Sequence, residues 1–223
     1  MNYIVIGVSR SGHHAIINWL CKQVGNITHY NGCFVENETL VPENKVTKYG
    51  NGSDNYCYSL ENFSLKNFDL YKKLKPFCAP HKIIIVLRDP FNWIASHFKK
   101  WRTENNLFDH INIWKEHARE CVGATNYLNN FICLNYNDWF SVESYRKLKA
   151  LKLRISFTDK GMKDVPTFGS GSSFDNFNFT NKANRMHVLD RWKHFKEDKK
   201  YLSLLADKEL IILSIKYFNF NPL

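Results

Sequence analysis

Arg10, Ser11, His13 and His14 stand together with Gly7 and Gly12 between an apolar run, Tyr3-Ile4-Val5-Ile6, and a segment, Ala15 to Leu20, whose apolar residues recur at helical spacing. A fixed cation, a hydroxyl and two imidazoles on a glycine-bounded turn are the parts of an anion site. The glycines let the backbone curl so that amide N–H groups point inward, and the helix that follows adds its positive end. Such a turn holds phosphate or sulfate. A second set of residues has the same chemistry: Arg88 ends the run Ile83-Ile84-Ile85-Val86-Leu87, and Ser96 follows eight residues later. A guanidinium forks onto phosphate oxygens and a hydroxyl adds one more hydrogen bond. Groups able to take a proton from a nucleophile are at hand in Glu61, with Glu36, Glu38 and His29 as rivals.

The spacing from Gly7 to Gly12 is that of a Walker A loop, but the next two positions fail it. A nucleoside triphosphatase wants Lys and then Ser or Thr, the hydroxyl placing magnesium. Here they are His13 and His14. Magnesium takes hard oxygen ligands and imidazole suits softer transition metals. A kinase or ATPase is disfavoured, and the expected chemistry needs no metal.

Both sets must be carried by strand-turn-helix units. The β-branched run before Arg88 predicts a strand buried on both faces of a parallel sheet. Asp89 can cap the next helix and Pro90 suits its first turn. Arg88 then lies at the carboxyl end of a central strand, where open α/β sheets bind ligands. Further strands are expected at Ile27 to Tyr30, Tyr56 to Leu60 and Phe131 to Tyr136, and helices over His110 to Tyr127 and about Lys199 to Phe218. Glu36 to Asn55 alternates poorly and reads as a loop or an insertion over the site. Lys163 to Lys182 is the least regular stretch. The fold class predicted is three-layer α/β/α around a mostly parallel sheet, with P-loop-like architecture, as one domain over 1–223.

A net charge of +10 favours anionic partners such as nucleotides, nucleic acid or acidic polysaccharide, without choosing among them. Cys21, Cys33, Cys57, Cys78, Cys121 and Cys133 are scattered without a C-x-x-C pair, which predicts buried thiols rather than disulfides or zinc ligands. The longest apolar run, Ile83 to Leu87, is far short of the roughly 20 residues of a membrane span. A strand starting almost at Met1 leaves no room for a signal peptide, so a cytoplasmic chain is expected.

Arg10-Ser11-Gly12-His13-His14 resembles the 5′-phosphosulfate loop of the sulfotransferases that use 3′-phosphoadenosine 5′-phosphosulfate (PAPS), in which a Lys or Arg precedes a small residue, a Gly and two further residues. Arg88-Asp89-Pro90 with Ser96 is similar to that family's 3′-phosphate site, and Tyr136-Asn137-Asp138 to its strand-ending Tyr-Glu-Asp segment. The segment Arg191-Trp192-Lys193 and the final helix look like its C-terminal end. The resemblance implies that Arg10 to Ala15 cradle the phosphosulfate and that Arg88 and Ser96 hold the 3′-phosphate. In the family a late glycine-containing loop closes over that phosphate. This sequence lacks that loop's Arg-Lys-Gly; Gly169 to Ser173, with Gly171 and Ser172, offer amides and hydroxyls in its place, with charge from Arg185, Arg191 or Lys193, and the composition equally reads as a flexible linker.

The implied reaction moves a sulfuryl group from PAPS to a hydroxyl or amine on a small-molecule or carbohydrate acceptor, releasing 3′-phosphoadenosine 5′-phosphate (PAP). Arg10 and His14 would face the transferring group, with His13 contributing only its backbone. Glu61 stands roughly where cytosolic members carry a His, and would be the base. Arg10 supplies charge and no proton, since its guanidinium stays protonated. A degenerate P-loop kinase or nucleotidase, and a non-enzymatic anion or nucleic-acid binder, are the alternative readings; no specific nucleic-acid partner is expected.

Overall fold

The run Tyr3 to Ile6 is buried at every position because it forms the centre of a sheet covered on both faces. The structure, a computed structural model, describes residues 1–37, 39–43, 46–51, 55–74, 79–100, 107–165, 173–175, 179 and 182–222. Among these the strands are β1 (Asn2–Gly7), β2 (Ile27–Tyr30), β3 (Cys33–Glu36), β4 (Thr39–Pro42), β5 (Val46–Tyr49), β6 (Tyr56–Glu61), β7 (His81–Leu87) and β8 (Phe131–Asn135). The helices are α1 (His13–Val24), α2 (Phe68–Tyr71), α3 (Pro90–Lys100), α4 (Leu107–Cys121), α5 (Tyr136–Ser141), α6 (Glu143–Leu153), α7 (Lys199–Leu204) and α8 (Lys208–Phe218).

Among the described residues the main sheet has the order β5-β2-β6-β1-β7-β8. β1 pairs in parallel with β6 and β7, β2 with β6, and β7 with β8, while β5 runs antiparallel on β2. The chain leaves β1 toward one side and later returns to its other side at β7, so the sheet switches direction between these strands. Ligands of open α/β sheets bind at the carboxyl ends of strands at such a point. The two turns that the sequence marks as candidate anion sites emerge there, because β1 and β7 are neighbours with Gly7 opposite Val86.

Alternate residues of the central strands feed two cores. Ile4, Ile6, Ile83, Ile85 and Leu87 pack on the side of α3, α4 and α8, and Tyr3, Val5, Ile84 and Val86 pack on the side of α1, α5 and α6. That is why these strands lack polar alternation and why the layers number three.

Helix starts follow local chemistry. Asp89 accepts from the Asn92 N–H at 2.9 Å, Asn135 from the Asn137 N–H at 2.9 Å, and Asp207 from the Glu209 N–H at 2.9 Å. At the free edge of β8, the Asn135 N–H donates to the Tyr145 hydroxyl at 2.8 Å, and Lys149 Nζ donates to the Cys133 carbonyl at 2.6 Å. Side chains of α6 thus occupy ladder positions of that edge.

Four expectations need correction. Glu36 to Asn55 is not a plain loop: β3 and β4 form an antiparallel hairpin and β5 adds to the main sheet. Its alternation is weak because the hairpin and the edge strand β5 leave apolar residues outside, with Phe34, Val35 and Val46 exposed although Leu40 is buried. The helix expected over His110 to Tyr127 runs from Leu107 to Cys121, since Gly123 adopts φ 74° beyond it. The final helix is two, because Asp207 caps a new helix after Leu205 and Ala206. Cys121 and Cys133 are joined in a disulfide that ties the end of α4 to the middle of β8. Their sequence spacing carries no signal for this; sheet topology brings the two together. Cys21, Cys33 and Cys57 are buried thiols as expected, and Cys78 lies outside the described residues.

Candidate active site

Gly12 adopts φ 83° and ψ 11° at the start of α1. A Cβ there would lie 2.2 Å from Tyr136 Cε2, so only glycine lets the ring of Tyr136 close on the loop. Arg10 also has positive φ, 67°, where a non-glycine side chain is uncommon. The loop is clamped from both flanks. The Ser9 N–H donates to Asn62 Oδ1 at 2.8 Å, and the Ser9 carbonyl accepts from Trp93 Nε1 at 2.8 Å and lies 2.9 Å from His97 Nε2. Ser11 is buried, its N–H donating to the Val8 carbonyl at 3.1 Å and its Oγ 3.4 Å from His13 Nδ1. It braces the loop from below and does not line the cleft.

Arg88 is buried beneath the neighbouring strand tip. Its Nη1 donates to Ser96 Oγ at 3.1 Å and its Nη2 to the Val188 carbonyl, while Cζ lies 5.3 Å from the centre of the Tyr136 ring. Arg88 Nε is buried without a hydrogen-bond partner. From the other side Arg191 Nη1 donates to the same Ser96 Oγ at 2.9 Å, and its Nη2 pairs with Asp175 Oδ2 at 2.8 Å. Asn92 brings this segment in, its Nδ2 donating to the Leu189 carbonyl at 2.9 Å and its Oδ1 accepting from the Trp192 N–H at 3.3 Å. One face of α3, carrying Asn92, Trp93, Ser96 and His97, therefore holds both the glycine-bounded loop and the two arginines.

Arg10, Arg88 and Arg191 line one cleft of about 850 Å³, counting its open mouth, together with Gly12, His13, His14, Ala15, Glu61, Tyr136 and an apolar wall that includes Trp139, Phe140 and Met162. Burial, and then the charge of Arg191, pull the Arg10 and Arg88 guanidiniums down to about 10. Burial also lowers Arg191. All remain cationic at neutral pH, so the cleft gathers positive charge that Glu61 and Asp175 offset in part.

At the side of the cleft away from Arg88, burial holds His13, His14 and His29 neutral, each lowered to about 3, with the neighbouring imidazoles as the next cause. His13 Nε2 lies 3.6 Å from Glu61 Oε1, and His14 Nε2 lies 2.8 Å from Asn31 Oδ1. The His13 side chain is thus part of the site, beyond the backbone role expected of it. Among the groups considered as a base, Glu61 lines the cleft, His29 is buried below it, Glu36 is exposed on the hairpin, and Glu38 lies outside the described residues.

The other expectations divide in the same way. Gly171 and Ser172 lie outside the described residues. Arg185 is exposed and does not line the cleft, and Arg191 is the late arginine that does. Recruitment of Arg191 runs through contacts with residues 95 and 100 positions away in sequence, which local pattern does not display.

No protein-family model and no curated protein sequence matches the chain. Solved structures do. The sulfotransferase domain of the Synechococcus PCC 7002 olefin synthase superposes with a TM-score of 0.50 at 13% identity, over 74% of this chain and 59% of that one. Mouse sulfotransferase SULT7A1, solved in complex with PAP, superposes with a TM-score of 0.52 at 14% identity, over 97% of this chain and 84% of that one. The chain has the sulfotransferase fold. At such identity the likeness speaks for the fold alone, and the sulfotransferase fold here keeps a parallel sheet whose β1 and β7 tips carry the loop and Arg88. Among the described residues no helix is long and apolar enough to cross a membrane.

Proposed function

We propose that the protein transfers a sulfuryl group from PAPS to a hydroxyl or amine acceptor, leaving PAP. The observation that carries this reading is the meeting of Arg10, Arg88 and Arg191 in one cleft at the tips of adjacent strands. Guanidiniums that depress one another's pKa form a costly arrangement unless a polyanion joins them. A nucleotide with phosphates at both ends of its ribose meets that need, and the buried, unpartnered Nε of Arg88 is a donor left for it. The SULT7A1 neighbour was solved with such a nucleotide.

In this reading the loop amides from Gly12 onward and Arg10 hold the 5′-phosphosulfate, while Arg88 and Arg191 hold the 3′-phosphate; Ser96, which does not line the cleft and donates its own proton to the Asn92 carbonyl at 2.9 Å, positions the two guanidiniums. Tyr136, Trp139 and Phe140 offer the apolar surface on which a base can lie. PAPS supplies an activated sulfuryl group whose leaving group is a phosphate. The chain's part is positioning and charge: Arg10, which lines the cleft, stabilises negative charge as it grows on the departing oxygen. Glu61 takes the proton of the acceptor, being the carboxylate that lines the cleft beside His13 and His14.

Calorimetric titration with PAP and with its 3′-hydroxyl analogue tests the assignment. Wild type should prefer PAP. Arg88→Ala should lose roughly tenfold to a hundredfold of that preference, the worth of about one hydrogen bond to a charged group. Undiminished discrimination would remove Arg88 from the 3′-phosphate site. Tighter binding of ATP with magnesium than of PAP would instead favour a kinase.

A further inference from the structure

The disulfide between Cys121 and Cys133 opens onto a second cavity, of about 720 Å³ counting its open mouth, which shares no lining residue with the first. Both cysteines line it, and each is only half-buried. The charge around the bridge is mainly positive: Lys149 and Lys152 line the cavity against one carboxylate, Asp138. Lys149 is fixed beside Cys133. Its Nζ donates to the Cys133 carbonyl at 2.6 Å and lies 4.9 Å from the centre of the Tyr145 ring. An ammonium has three donors, and that bond uses one. Burial, and then the charge of Lys152, pull Lys149 down to about 8, so it is still mostly cationic at neutral pH and has lost part of its water. A disulfide is opened by a thiolate rather than a thiol, and the sulfur that departs leaves faster when its negative charge is stabilised. A cation beside the bridge serves both steps, drawing an anionic thiol in and easing the thiolate out.

We propose that this cavity is a thiol-exchange site, at which a small anionic thiol opens the Cys121–Cys133 bridge in the folded chain. The incoming thiolate attacks Cys121 Sγ and forms a mixed disulfide with it. The bond between the two cysteines breaks, and its electron pair passes to Cys133 Sγ, which leaves as a thiolate beside Lys149 and takes a proton from water. A second thiolate then attacks the sulfur of the small thiol, releasing that thiol as its own disulfide and leaving Cys121 to be protonated. Two small thiols are oxidised by the loss of two electrons, the bridge gains them, and the two thiol protons are matched by those taken up at Cys121 and Cys133. The nucleotide cleft takes no part, so the inference stands apart from the transfer reading.

The oxidised chain is mixed with 2-mercaptoethanesulfonate, an anionic thiol, and separately with cysteamine, a cationic one; acid quenching and mass spectrometry follow the adduct. Each rate is divided by that of the same thiol on a small neutral disulfide, which removes differences in intrinsic reactivity. The expected result is one adduct per chain, on Cys121, with the anionic thiol favoured by roughly tenfold, the scale of one partly screened charge pair. Lys149→Gln should lose most of that preference with its circular dichroism unchanged. Exchange in the folded chain should also run at a constant rate in urea below the unfolding transition. A bridge inert to both thiols, equal rates for the two, a preference kept in Lys149→Gln, or a rate that climbs with urea in step with global unfolding would overturn the proposal. The wild-type measurements decide it even where the variant fails to fold.

Discussion

Gly12 illustrates how much of the site rests on single atoms. Its positive φ and the Tyr136 ring, 2.2 Å from where a Cβ would stand, leave no place for alanine. Gly12→Ala should cost about 2 kcal/mol in backbone conformation alone, more once the ring is displaced, and should lower PAP affinity as Tyr136 leaves Arg88. Urea unfolding and calorimetry on the same variant measure both. The glycine was legible as a turn residue from its place between Arg10 and His13. The ring that enforces it was not, because Tyr136 arrives from a different strand. The same split applies to the arginines: Arg10 and Arg88 stood out by their motifs, whereas Arg191 was one of three late cations offered beside Arg185 and Lys193, and contacts with Ser96 and, through Trp192, with Asn92 single it out.

At the level of elements, α3 does the most. It reads as a capped helix after a buried strand, and it is one, but its role in joining the loop to the late segment depends on which of its side chains face inward. Exposed strands were the poorest read: β3, β4 and β5 bury too little apolar surface to impose a period of two on their residues. The disulfide between α4 and β8 is a long-range feature of the same kind. It closes a loop with a sequence separation of 12, for which chain-entropy arguments give about 3 kcal/mol. Dithiothreitol should therefore lower the unfolding midpoint of wild type by that amount of stability. A variant with Cys121→Ser and Cys133→Ser should already be lowered and should not respond to reductant. A midpoint indifferent to reductant in wild type would show that the bridge adds nothing.

For the whole molecule, the three buried histidines make stability depend on pH. His13, His14 and His29 sit near 3 in the folded chain, against an ordinary value of 6.5. Between those values the unfolded chain binds protons that the folded one refuses. Stability present above about pH 6.5 should accordingly fall as the solution is acidified, by up to about 1.4 kcal/mol per pH unit for each histidine that stays neutral. Urea midpoints at pH 7.5, 6.0 and 5.0 check the slope, and a flat profile would mean that the imidazoles are hydrated when folded. The layered architecture itself was readable in advance, since unbroken apolar strands need cover on both faces. A last consequence follows from Lys149 and Tyr145, which occupy hydrogen-bonding positions of β8. A sister molecule has little there to zip onto, so this flank of a slowly assembled parallel sheet is guarded against templated fibre growth.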